Sequence, residues 1–176
     1  MQDLSKFLCY ILRHKPETIG LSLDEFGYAE VHELIDRINN HKEYSNVKLK
    51  DIERIVKEDK KTRYSLIGNK LRANQGHSIK VNLELEPQVP PEVLFHGTPV
   101  KSIEVIQNNG LKKMQRHHVH LSPDVDTARS VGNRRGHSYI IHIDTKVMYD
   151  DGIIFYESKN GVWLTDFVDP KYFINL

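Results

Sequence analysis

The sequence predicts an α+β protein of two lobes, and three observations lead there. Residues 1–85 carry three apolar stripes at helical spacing followed by a hairpin signal. The stretch "LELEPQVPPEV" then places three prolines in five residues, the composition of a semi-rigid, extended linker, here residues 86–91. From residue 92 to 176 the texture changes to short runs of β-branched and aromatic residues, which predicts a mostly-β lobe with a few short helices.

In the first lobe, "DLSKFLCYILRHKP" places Leu4, Phe7, Leu8, Ile11 and Leu12 on one helical face. Pro16 ends that helix, because the residue before a proline avoids the helical region, so Arg13 and His14 fall in the last turn. Val31, Leu34, Ile35 and Ile38 form a second stripe, and Leu49, Ile52 and Val56 a third. "RYSLI" and "KLRAN" flank Gly68-Asn69 and read as a β-hairpin. Three helices and a hairpin resemble a winged helix, an architecture common among nucleic-acid binders, although architecture alone assigns no activity.

In the second lobe, "EVLFHG" reads as a strand, and "VKSIEVIQNNG" as a short helix closed by Gly110. "HVHLS" reads as a strand and "DVDTARSVG" as a helix, while "HSYIIHID", "GIIFYES" and "VWLTDFV" read as three further strands.

Composition narrows the class. Hydrophobic residues make up 39% and charged residues 28% of 176, enough for a core in a soluble protein. No apolar run approaches the roughly 20 residues needed to cross a bilayer. The N-terminus lacks a basic segment followed by an apolar one, so the expectation is a cytoplasmic protein. A single cysteine, Cys9, excludes an intrachain disulfide and a cysteine-rich zinc module. Net charge is +1, with 15 Lys/Arg against 13 Asp/Glu in residues 1–85 and 10 against 11 in residues 86–176. An anion site must therefore be local, built from a few convergent arginines. A monomer is the default expectation.

Chemistry concentrates in five places. "MQRHHVHLS" sets Arg116 beside His117, His118 and His120. On a strand His118 and His120 would share one face, as two zinc ligands would, but a third ligand is missing and no His-Glu-x-x-His helix occurs. The plainer reading is hydrogen-bonded or core histidines, with Arg116 lending a cation to a phosphate. Arg13 and His14 end an apolar helix, where complementing the helix dipole would by itself account for both. Arg63 follows Lys60 and Lys61, and a solvated charge run would account for it equally. "RANQGHS" offers donors on Arg72, Gln75, His77 and Ser78, and "FHGT" sets His96, Gly97 and Thr98 at a strand end, where a glycine would let a ligand approach the backbone. Neither GxGxxG nor GxxxxGK[ST] is present.

Taken together, "LSKFLCYILRHKPETIGLSLDEFGY", "RANQGHS", "LFHGT", "MQRHHVHLS" and "NGVWLTD" resemble, in order and along essentially the whole chain, the RNA 2′-phosphotransferases of the KptA family. The resemblance implies an N-terminal winged-helix-type lobe and a C-terminal lobe with the ADP-ribosyltransferase fold, which binds NAD. It implies removal of an internal RNA 2′-phosphate, as in tRNA splicing and processing. The 2′-phosphate attacks the NAD ribose and expels nicotinamide, giving an RNA-2′-phospho-ADP-ribose intermediate. The ribose 2″-hydroxyl then takes the phosphate, leaving 2′-OH RNA and ADP-ribose 1″,2″-cyclic phosphate.

By motif, the implied catalytic residues are Arg13, His14, Arg63 and Arg116. The implied NAD-binding residues are His96, Gly97, Thr98, His120, Leu121 and Ser122, and the implied RNA-binding residues are Arg72, Gln75, His77 and Ser78. No metal is implied. Many ADP-ribosyltransferases use a glutamate late in the chain, on which this family does not depend; Glu157 is available but reads better as a strand-end charge. Two alternatives stand beside this: an ADP-ribosyltransferase that caps terminal phosphates of RNA or DNA or modifies a protein, and a non-catalytic winged-helix nucleic-acid binder that senses NAD.

Overall fold

Asp3 opens the first helix by accepting the Ser5 N–H at 3.0 Å. In this computed structural model, which describes residues 3–176, helix α1 (Leu4–Arg13) buries Phe7, Leu8, Ile11 and Leu12, as its stripe requires, and His14 is its C-cap. Helix α2 (Val31–Asn39) starts where the Glu30 carboxylate accepts the Glu33 N–H at 2.8 Å. Helix α3 (Leu49–Glu58) starts where Asp51 accepts the Lys48 N–H at 2.9 Å. The third stripe is thinner than its spacing suggests. Ile52 is fully buried, Val56 only partly, and Leu49 is 40% exposed.

Strands β1 (Ala29–Glu30), β2 (Tyr64–Ile67) and β3 (Lys70–Ala73) form one antiparallel sheet in the order β1-β3-β2. Gly68 takes φ 58°, so the β2–β3 turn closes in two residues and pairs Ile67 with Lys70 through Tyr64 with Ala73. The two-residue β1, pairing Ala29 with Leu71, is too short to leave a periodic signal.

The chain divides into two compact units, one ending at Glu84 and the next starting at Leu85. The second unit contains β4 (Pro87–Gln88), β5 (Val93–Pro99), α4 (Ile103–Asn109), β6 (Leu111–Lys112), β7 (Val119–Leu121) and α5 (Val125–Gly132). It continues with β8 (Ser138–Asp144), α6 (Thr145–Asp150), β9 (Phe155–Glu157), β10 (Trp163–Thr165) and β11 (Phe167–Val168). Its sheets are small and antiparallel: β4-β9-β10-β7, β5-β8 and β11-β6. Phe95 and Ser122 exchange backbone hydrogen bonds at 2.9 and 2.7 Å, joining β5 to the residue after β7. Leu94, Leu121, Ile141, Ile143, Met148 and Phe155 are buried at the centre of the core.

Four details differ from the sequence reading. Within the stretch 86–91, read as a semi-rigid, extended linker, Pro87 and Gln88 form a short strand paired with Tyr156 and Phe155; a proline is tolerated there because β4 is an edge strand. "VWLTDFV" is two strands, since β10 pairs with β7 and β9 whereas β11 pairs with β6. The strand expected over "HVHLS" begins at Val119, so His118 stands before it and strand alternation does not align it with His120. Finally, α6 escaped a pattern reading because it has only six residues; Asp144 caps it through the Val147 N–H at 3.1 Å. Among the described residues no helix is long and apolar enough to cross a membrane.

Candidate functional site

In the first unit, the "RANQGHS" loop folds back on the end of α1. The Ser78 N–H donates to the Arg13 carbonyl at 2.9 Å, and Ser78 Oγ lies 2.9 Å from His14 Nδ1. Ser78 thereby caps a helix carbonyl and fixes the His14 ring with one residue. The Arg13 guanidinium lies over Gly76, whose added Cβ would sit 3.4–3.5 Å from it. Arg13 Nε and Nη2 are buried with no hydrogen-bond partner among the described residues, as is Gln75 Oε1. His77 is buried behind the loop, its Nε2 3.5 Å from where a Cβ on Gly27 would be.

The two arginines of the hairpin are placed differently. Arg72 turns inward and is 5% exposed; it donates to the Phe26 carbonyl at 3.2 Å, covers the Tyr28 ring at 4.6 Å and meets Glu84 at 3.6 Å. Arg63 is anchored by Asp59, a residue the motif reading passed over. Arg63 Nε and Nη2 approach Asp59 Oδ1 at 3.0 and 2.9 Å, and the Arg63 N–H donates to Oδ2 at 2.6 Å. Burial alone would raise the Asp59 carboxyl, but the bonds from Arg63 and Lys61 outweigh it and hold the group below its ordinary range. An acid four residues ahead of the arginine in "DKKTR" was the available signal, hidden inside an apparent charge run. Next to Arg63, buried Tyr64 donates to the Ser5 carbonyl at 2.6 Å and touches Cys9 Sγ at 3.0 Å. Burial, then Cys9, push its phenol above the ordinary range.

In the second unit, β5 and β7 place a relay. His96 Nδ1 lies 3.0 Å from the His120 carbonyl, and Arg116 Nη1 lies 3.1 Å from His120 Nδ1. A carbonyl only accepts and a guanidinium only donates, so His96 carries its proton on Nδ1 and His120 on Nε2. Burial pushes the His96 imidazole below its ordinary value, outweighing the opposing pull of the His120 carbonyl, and so favours the neutral ring. Thr98 is 4% exposed on β5, and Ser122 follows β7. Leu121 is 1% exposed with its side chain in the core, so it can meet a ligand only through its backbone.

Gly97 does mark a close backbone approach, but from inside the fold. An added Cβ would lie 1.8 Å from the Ala128 carbonyl oxygen of α5, and one on Gly132 would lie 2.9 Å from Gly97 C. His118 packs edge-on to Tyr156 at 5.4 Å, and burial followed by the charge of His117 lowers its pKa. Among the described residues no group of three or more His, Cys, Asp or Glu side chains is arranged to hold a metal ion.

Comparison with known proteins defines the class first. A chain from Fusobacterium nucleatum named "Probable RNA 2'-phosphotransferase" is 51% identical over 172 residues, spanning 96% of this chain and 95% of the relative. Chains of the same name from Trichormus variabilis and Flavobacterium johnsoniae are 47% identical (96% and 93% covered) and 48% identical (97% and 94%). The chain is thus similar throughout its length to transferases named for an RNA phosphate. The family profile described as "RNA 2'-phosphotransferase, Tpt1 / KptA family" matches residues 1–167, and the chain belongs to that family.

Proposed function

We propose that this protein removes an internal 2′-phosphate from RNA in an NAD-dependent reaction that releases nicotinamide and ADP-ribose 1″,2″-cyclic phosphate. The observation that carries the reading is the Arg13 guanidinium, a permanent charge whose buried Nε and Nη2 meet no acceptor among the described residues. Buried charged donors are costly unless an anion meets them, and a phosphate dianion has the oxygens to do so.

Arg13, His14 and Arg63 grip the phosphate in this reading, and Ser78 holds His14 in place. Gln75 and His77 line the same loop, and Arg72 supports it from behind. Arg116 acts in the second transfer, where charge builds on the phosphate and a fixed donor is worth about 10²–10³ in rate. When bound, NAD supplies the ribose carbon that accepts the phosphate and the hydroxyl that finally keeps it. The donor set of the second unit suits such a ligand: two neutral imidazoles, the hydroxyls of Thr98 and Ser122, and one guanidinium match a ribose and a diphosphate. His96, Thr98, His120, Ser122 and the backbone at Gly97 and Leu121 would hold it. No metal ion is needed, because arginines supply the positive charge at every relevant pH.

Two aspects of the fold support the two-lobe assignment. The first unit runs α1-β1-α2-α3-β2-β3 with β1 paired to β3, which suits a winged helix. The small antiparallel sheets of the second unit suit an ADP-ribosyltransferase lobe.

The test is incubation of the protein with a short RNA bearing one internal 2′-phosphate, with and without NAD, in the presence of a chelator. Loss of the phosphate and appearance of ADP-ribose cyclic phosphate, both only with NAD, is the expected result. RNA that gained ADP-ribose and kept it would support the capping activity instead. Unchanged RNA beside bound NAD would support a sensor.

A further inference from the structure

Asp59 sits at the C-terminal end of α3, where the helix dipole disfavours a negative charge. Its side chain is only 3% exposed, so water does little to compensate. Helix stability therefore does not explain an acid there; what it binds does. Oδ2 takes the Arg63 N–H, while Oδ1 takes Arg63 Nε and Nη2 and the Lys61 N–H at 3.3 Å.

A guanidinium has two edges able to grip an oxyanion, the Nε/Nη2 side and the Nη1/Nη2 end. Asp59 occupies the side, which leaves the end.

The backbone around Arg63 is also held from both directions. Thr62 has φ 46°, a region that β-branched residues avoid, so the arch must be imposed by its surroundings. The Thr62 N–H donates to the Asp59 carbonyl at 2.9 Å. From just beyond the end of β3, Asn74, 4% exposed, donates through Nδ2 to the Thr62 carbonyl at 2.7 Å and through its backbone N–H to the Arg63 carbonyl at 2.8 Å. Its Oδ1 accepts from Ser65 Oγ at 2.7 Å.

We infer that Asp59 is a positioning residue: with Asn74 it clamps the Thr62–Arg63 arch and takes up the Nε/Nη2 side of Arg63, so that only the Nη1/Nη2 end is presented to the RNA 2′-phosphate. The inference rests on the function proposed above. It adds an acid to a site otherwise read as a set of cations, and gives that acid the task of aiming one of them.

The experiment measures binding of two short RNAs, identical except that one bears an internal 2′-phosphate, to the full chain and its variants. The readout is the ratio of the two dissociation constants, which a general loss of folding would not change selectively. Thermal unfolding of each variant is followed in parallel. Arg63→Ala is expected to lower the preference for the phosphorylated RNA about tenfold to a hundredfold, the usual loss for a charged hydrogen bond. Asp59→Ala is expected to lose most of the same factor with Arg63 intact, and the double variant to be no worse than Arg63→Ala alone.

A wild-type ratio in Asp59→Ala, or a double variant well below Arg63→Ala, would overturn the inference. Should Asp59→Ala unfold, Asp59→Asn serves in its place. Its carbonyl can still accept from the guanidinium, but its amide confronts the Arg63 N–H, so an intermediate ratio is expected and an unchanged one overturns the inference. If the wild-type protein does not distinguish the two RNAs, the 2′-phosphate reading itself fails, an outcome separate from failure of the anchor alone.

Discussion

The two units hold their polar side chains by opposite means. In the first, cations are tethered to acceptors: Arg63 to the Asp59 carboxylate, and Arg72 to the Phe26 carbonyl and Glu84. Arg13 keeps two buried nitrogens, Nε and Nη2, without an acceptor among the described residues. In the second, the ordered groups are neutral imidazoles passing a chain of hydrogen bonds, His96 to the His120 carbonyl and Arg116 to the His120 ring. A tethered charge is suited to gripping an anion, whereas a neutral ring of fixed tautomer is suited to orienting an uncharged sugar or amide. The contrast also concerns backbone. The first unit packs side chains against a three-stranded sheet, while the second brings β5 and α5 together main chain to main chain at Gly97 and Gly132.

The largest effect that would test this division is catalytic. Arg13→Ala is expected to slow NAD-dependent removal of an RNA 2′-phosphate by about 10²–10³ while leaving thermal unfolding nearly unchanged. A variant retaining full rate would show that the orphaned guanidinium serves the fold and not the phosphate. Next in size, Gly97→Ala drives a methyl into the Ala128 carbonyl, and a loss of about 3 kcal/mol or more is expected in denaturant titration. A stable, active Gly97→Ala protein would rule out the close approach.

Acid separates the units further. His96 and His118 have folded pKa values below their ordinary 6.5, so an unfolded chain binds more protons than the folded one in that window. Their contribution is full above about 6.5 and falls as pH drops toward the folded values. Asp24 and Asp59 in the first unit are instead held below their ordinary 3.8, and their contribution is lost only at more acidic pH. Replacing His96 by Asn is expected to reduce the pH dependence of the unfolding temperature between pH 7 and 5, and an unchanged slope would contradict the partly buried neutral ring. The smallest effect is expected at the exposed Lys113–Asp166 pair, 2.7 Å apart: Lys113→Ala should change stability by less than about 0.5 kcal/mol.

Much of the fold was legible where burial repeats at a regular spacing. Leu8, Ile11 and Leu12 announce α1, Leu34 and Ile38 announce α2, and Gly68-Asn69 marks its hairpin. Elements shorter than two periods were not legible: β1, β6 and α6 offer too few residues to show a rhythm. The candidate site was legible as residue types in motifs, but not as partnerships. Arg72 and Arg63 look alike in the sequence and differ entirely in exposure and partners. Gly97 signals that something comes close, and only the packing of α5 says what.

By itself, then, the sequence determined the amphipathic helices, the hairpin and the order of the arginine-bearing and strand-end motifs, because these depend on neighbours a few residues away. Tertiary structure decided which guanidiniums are tethered, which imidazoles stay neutral and why Asp59 is an acid. Each of those depends on a partner fixed by packing: a carboxylate turned inward, a carbonyl from the next strand, or the partial burial of a ring.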